Sequence, residues 1–163
     1  MARIDCPDGD GPEIERVWSL RPEMGKAVAR LADAVYNKSR LPGRIREAAR
    51  MRIAQINECP ICLEWRIPEL AAQGVDEELY AHVHEAPTWD GYSDQERLAV
   101  EYAERYALDH RAIDDEFFSR LRANFDDAEI LDLTICIGNF LAFGRLTEVL
   151  RLDQGCAVVP AAG

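Results

Sequence analysis

The chain has 163 residues, of which 48% are hydrophobic and 30% charged, and a formal net charge of −11. That is the length and composition of one globular domain with a real core. The acidic balance argues against nucleic-acid backbones and anionic membrane surfaces as partners, since both need basic patches.

Residues 1–11 are acidic, rich in Gly and Pro and without period, and read as a flexible arm containing Cys6. Residues 12–153 read as a single helical domain and residues 154–163 as a tail. Met24, Val28, Leu31 and Val35 recur at helical spacing from Pro22 to Lys38. A second helix runs from about Pro42 to Asn57, with Ile45, Ala49, Ile53 and Ile56 on one face. A third starts at Pro60, where a missing N–H costs nothing, and ends near Gly74. Asp76 caps a short helix through Val83. Ser93 with Glu96 forms a capping box ahead of the stripe Ala99, Tyr102, Ala103, Tyr106 and Ala107. Asp114 caps a helix carrying Phe117, Phe118 and Leu121. Asp126 with Glu129 opens the last one.

That last helix is apolar nearly all round, from Ile130 through Ile135 to Leu141, which places it in the middle of the fold or at an interface. Gly138 within it invites close approach of another backbone. Its most apolar stretch is too short to span a bilayer, and the N-terminus shows no secretory pattern. Strand-like alternation is absent. The expectation is an all-α domain of six to eight helices in a cytoplasmic protein with no membrane partner.

The chemistry centres on Cys59-Pro-Ile-Cys62. Cys59 falls at a helix cap and Cys62 in its first turn, near unpaired backbone N–H groups that favour thiolate. In a reducing compartment the spacing points to a redox pair or a metal site. Zinc would need two further ligands from His82, His84, His110 and Cys136, and two residues two apart on a helix, such as His82 and His84, diverge. Zinc is therefore disfavoured, and no cofactor is expected. Arg66, four residues after Cys62, falls on the same helix face and is placed to hold a thiolate. In an antiparallel hairpin of the two helices, Glu47 lies roughly 15 Å up one arm and Arg66 roughly 10 Å up the other, a gap that long side chains can bridge. The alternatives are a surface Glu47 paired with an arginine, and Arg66 in an ordinary salt bridge with Glu69 or Glu47. Asp132 and Asn139 are buried polar candidates, and Cys136 reads as core.

Glu47, eleven residues, Cys59-x-x-Cys62 and the later Leu133-Thr-Ile, Asn139-Phe and Arg145-Leu helix resemble the alkylhydroperoxidase D-like / carboxymuconolactone decarboxylase superfamily over about residues 41–150. The resemblance implies an all-helical homo-oligomer and a thiol-dependent peroxidase or disulfide oxidoreductase. By it, Cys62 attacks a hydroperoxide or disulfide substrate, Cys59 closes the disulfide, Glu47 assists proton transfer, and a dithiol or lipoylated protein restores both thiols. The family's relay histidine, four residues after the second cysteine, is replaced here by Arg66, which leaves thiolate stabilisation as that residue's expected role. Two alternatives remain: a carboxymuconolactone decarboxylase-like enzyme acting on a small carbon substrate, and a non-catalytic oligomeric helical protein with structural cysteines.

Overall fold

The structure, a computed structural model, describes residues 2–153. The expected tail, 154–163, lies outside the described residues. Within them there are eight α-helices and no strand. These are α1 (Glu13–Arg16), α2 (Pro22–Asn37), α3 (Gly43–Asn57), α4 (Pro60–Glu64), α5 (Glu77–Ala81), α6 (Asp94–Leu108), α7 (Asp115–Asn124) and α8 (Asp127–Leu150).

Local signals set most of the boundaries. Ser93 accepts from the Glu96 N–H while the Glu96 side chain reaches back to the Ser93 N–H, and Asp126 with Glu129 repeats the box. Asp76 and Asp114 accept from the N–H groups of Leu79 and Phe117.

Two departures matter. The helix beginning at Pro60 stops at Glu64 and does not run to Gly74. Trp65 is extended, and so is Ile67, which precedes Pro68 and is pushed out of the helical region by the proline ring. A separate 3-10 turn then covers Pro68–Gln73 and ends on Gly74 at φ 77°. The second departure concerns which helix is central, and that helix is α3. Ile45, Ala49 and Ile53 face a core shared with α6, α7 and α8, while Ala48, Met51 and Ala54 face a second core containing Leu70, Leu79, Tyr80, Val83 and Tyr92. Between these two cores little of the helix is left to solvent, and only Arg44, Arg52, Gln55 and Ile56 are partly exposed. That is why Arg46, Glu47 and Arg50 are also buried.

Helix α8, in contrast, buries Ile130, Leu133, Cys136, Ile137 and Phe140 but leaves Leu131, Ile135 and Val149 exposed. At 24 residues it is long and apolar enough to cross a membrane by length and composition, unlike its most apolar stretch read alone. Here it lies along α2, α3, α6 and α7. Met24 and Leu31 on α2 are likewise exposed, and only Val35 of that helix is buried. Asp132 accepts from the Ser39 hydroxyl and the Arg40 N–H, at 3.0 and 2.7 Å. The segment before α1 is tied to the end of α8, Arg3 N donating to the Leu150 carbonyl at 2.8 Å.

The close approach on α8 falls at Gly144, one helical face away from the expectation, since Gly138 meets only the Tyr106 hydroxyl. Asn57, the last residue of α3, sits against Gly144. Its Nδ2 donates to the Phe140 and Leu141 carbonyls at 3.4 and 3.3 Å, and its Oδ1 accepts from Arg145 Nε at 3.1 Å. The contact fixes the end of α3 two residues before Cys59. A Cβ at Gly144 would lie 2.5 Å from Asn57 Nδ2. Gly144→Ala is therefore expected to cost about 1–3 kcal/mol by overpacking, measured as a lower urea midpoint; an unchanged midpoint would show that Asn57 can retreat freely.

Candidate active site

Chain reversal after α3 is made by Glu58, which adopts a left-handed conformation at φ 54° and caps the helix with its N–H. Cys59 follows as the N-cap of α4, with Pro60 at the first helical position, as its sequence implies. The Cys62 N–H donates to Cys59 Sγ at 3.3 Å, and the two sulfurs are joined, the Cα atoms 5.2 Å apart. Cys59 is fully buried, while Cys62 is partly exposed. Because α4 has only five residues, the dipole it directs at Cys62 is small.

Glu47 is fully buried in α3 and pairs with Arg50, one turn on, Nε to Oε2 2.7 Å. This matches the alternative of an arginine pair in its partner type but not in its surroundings, since Arg50 is only 4% exposed. The rest of the Arg50 guanidinium leaves α3. Nη1 donates to the Cys62 carbonyl at 2.6 Å and Nη2 to the Trp65 carbonyl at 3.1 Å. The end of a helix leaves its last carbonyls without intrahelical donors, and a short helix has little else. Arg50 supplies those donors and so ties the cysteine motif to Glu47.

Tyr80, from α5, completes the group. Its hydroxyl donates to the same Glu47 Oε2 at 3.0 Å. Burial, reinforced by the Glu47 charge, pushes the phenol up to about 12, so it keeps its proton throughout the neutral range. Glu47 Oε1 is buried and has no hydrogen-bond partner among the described residues.

Arg66 is not on the face of Cys62, because α4 ends two residues before it. The hairpin of two long arms is thereby replaced by one long helix and one short one. The Arg66 guanidinium forms a two-point pair with Glu77, at 2.7 and 2.9 Å, donates to the Leu63 and Trp65 carbonyls at 2.7 and 3.0 Å, and lies 4.1 Å from the Tyr80 ring centroid. The Glu77 bond holds the guanidinium's proton more firmly and lowers the Glu77 carboxyl in return. Its partner is thus neither Glu69 nor Glu47. The structure brings Cys59, Cys62 and Glu47 together through Arg50 and places Arg66 one step out, behind Tyr80.

The remaining candidates lie elsewhere. His82 stacks on Trp89 with ring centroids 4.4 Å apart, and His84 pairs with Glu85. Cys136 is buried in the main core, its thiol raised to about 11 by burial and the Asp132 charge. Among the described residues no group of three or more His, Cys, Asp or Glu is gathered in a metal-binding arrangement.

Comparison with known proteins adds the lineage. Residues 22–105, more than half of the chain and inclusive of Glu47, Arg50, both motif cysteines and Tyr80, match the carboxymuconolactone decarboxylase family. An uncharacterised protein of Escherichia coli (strain K12), YnjA, is 34% identical over 120 residues, covering 71% of this chain and 64% of YnjA. A crystal structure from Agrobacterium tumefaciens, of a protein of unknown function that carries the name of the antioxidant defence protein AhpD, superposes with a TM-score of 0.69 at 27% identity, covering 82% of this chain and 92% of that one. A peroxidase-related protein of Silicibacter sp. TM1040 shares the fold at 18% identity, with a TM-score of 0.73 and 93% and 90% of the two chains covered. With its helical fold, its Glu47–Cys59–Cys62 spacing and this match, the chain belongs to the carboxymuconolactone decarboxylase family, in its AhpD-like fold.

Proposed function

We propose that the protein is a thiol-dependent hydroperoxide reductase, using Cys62 as nucleophile and Cys59 as resolving thiol. The observation that carries this reading is the asymmetry of the joined pair, a fully buried Cys59 and a partly exposed Cys62, with a fully buried carboxylate held by the arginine that also grips the Cys62 carbonyl. The family membership and the AhpD-named structural relative support a peroxidase-related role.

In the reduced enzyme the Cys62 proton passes to Glu47. The thiolate attacks the terminal oxygen of the hydroperoxide; the S–O bond forms as the O–O bond breaks, and the leaving alkoxide takes the proton from Glu47 and departs as alcohol. Sulfur loses two electrons and the peroxide gains them. Cys59 then displaces hydroxide from the Cys62 sulfenic acid, its own proton completing a water molecule, which leaves the disulfide seen here. An external dithiol, such as a lipoyl group, attacks the Cys62 sulfur, releases Cys59, and leaves as its own disulfide, returning two electrons and two protons.

The oligomer belongs to the same proposal. The exposed Met24 and Leu31 on α2 and Leu131 and Ile135 on α8, two helices that pack together, offer apolar surface for a second copy. A reducing, cytoplasmic setting would supply the dithiol.

The reading is tested by steady-state consumption of cumene hydroperoxide with dihydrolipoamide as reductant. Wild type should turn over, Cys62→Ser should be inactive, and Glu47→Gln, which keeps an acceptor for Arg50 and Tyr80 but cannot take the proton, should lose roughly 10²–10⁴-fold in kcat/KM. Unaltered turnover in Cys62→Ser would refute the assignment.

A further inference from the structure

The proposed reaction asks Glu47 to accept and return a proton, yet nothing in the family motif says which of its oxygens does so or what keeps it in register with Cys62 where the histidine is missing. The two oxygens of Glu47 are not equivalent. Oε2 is occupied twice, by Arg50 Nε at 2.7 Å and by the Tyr80 hydroxyl at 3.0 Å. Oε1 is equally buried and takes no bond among the described residues. An ionised carboxylate has about four acceptor directions, and leaving those of one buried oxygen without a protein donor is costly. A buried acceptor without a partner is the place where a proton would land.

The two donors are themselves held. Arg50 spends its other two nitrogens on the Cys62 and Trp65 carbonyls, so the distance between the base and the backbone of the nucleophile passes through a single rigid planar group. Tyr80 is buried, and the Arg50 and Arg66 guanidiniums lie 5.5 and 4.1 Å from its ring centroid. Arg66 is fixed in turn by its two-point pair with Glu77 on the same helix as Tyr80. The residue in the histidine's position thus reaches Glu47 through the tyrosine ring.

Resting on the reductase reading, we propose that Tyr80 and Arg50 are positioning residues that pin Glu47 by Oε2 and reserve Oε1 as the proton acceptor, with Arg66 acting through Tyr80 rather than on the thiolate. In this arrangement Tyr80 tunes the base and Arg50 also sets its register with Cys62. The tyrosine is a donor only; the proton moves between sulfur, Glu47 and the departing alkoxide as written above.

The test is the pH dependence of kcat/KM for cumene hydroperoxide with dihydrolipoamide in wild type, Tyr80→Phe and Arg50→Lys, with the thermal midpoint of each. Tyr80→Phe keeps the ring under both guanidiniums and removes only the hydroxyl. Losing a donor to a carboxylate favours its protonated form, so the acid limb should move to higher pH. Arg50→Lys keeps a cation beside Oε2 but loses the planar fork to the two carbonyls. Its kcat should fall at least about tenfold, as expected when a reacting group loses its alignment, with a smaller displacement of the limb than in Tyr80→Phe. A wild type without turnover would defeat the reductase reading. A wild type that turns over, with an acid limb unmoved in Tyr80→Phe, would leave that reading standing and overturn the positioning role, whatever the change in thermal midpoint.

Discussion

The structure depends on an ion pair inside a helix packed between two cores. Glu47 and Arg50 share one face of α3, and apolar cores flank that helix on two others. Taking either charge into such surroundings alone costs several kcal/mol, and the mutual attraction offsets this only when the remaining donors are used. Arg50 uses them on the carbonyls of Cys62 and Trp65. The need to satisfy a buried guanidinium and the need to satisfy the end of a five-residue helix meet in the same bonds. The cysteine motif is held where it is because the ion pair is buried, and a lysine at that position would leave the two carbonyls without their planar partner.

Reactivity follows from the same placement. Four cysteines fall within the described residues, and their environments separate them. Cys136 is walled into the main core beside Asp132, and its raised thiol is a poor nucleophile. Cys6 is half-buried, with its sulfur 3.7 Å from the Glu13 carbonyl, and its thiol is raised by burial and the Glu13 charge. Cys59 is fully buried. Among these four, only Cys62 combines partial exposure with a bonded neighbouring sulfur and a backbone carbonyl held by the arginine that pairs with Glu47. The absence of a histidine at position 66 does not empty the site. The buried carboxylate of Glu47, bonded by Arg50 of α3 and Tyr80 of α5, remains in place without it.

What the sequence made legible was local. The capping boxes at Ser93 and Asp126, the aspartate caps at 76 and 114, and the Cys59–Pro60 helix start are all decided within three or four residues, and each stands where its pattern implied. The early end of α4 was also written locally, in Pro68, but the stop residue Gly74 draws attention past it. Arg50 stands at the i+3 position from Glu47, a spacing that a helix turns into contact. Tyr80 leaves no such trace, because 33 residues and an intervening turn separate it from the carboxylate it touches. Periodicity identifies residues that share a face and not what covers that face, which is why the stripe of Met24 and Leu31 and the apolar Ile135 lie open here.

The central claim is that Cys59 and Cys62 cycle between dithiol and disulfide at the expense of a hydroperoxide. It is tested most directly by counting thiols in the pre-reduced native protein before and after one equivalent of cumene hydroperoxide, with peptide mapping of the product. The account predicts the rapid loss of two thiols and a single Cys59–Cys62 bond, with Cys136 still reduced. Survival of both motif thiols, or oxidation confined to other cysteines, would contradict it.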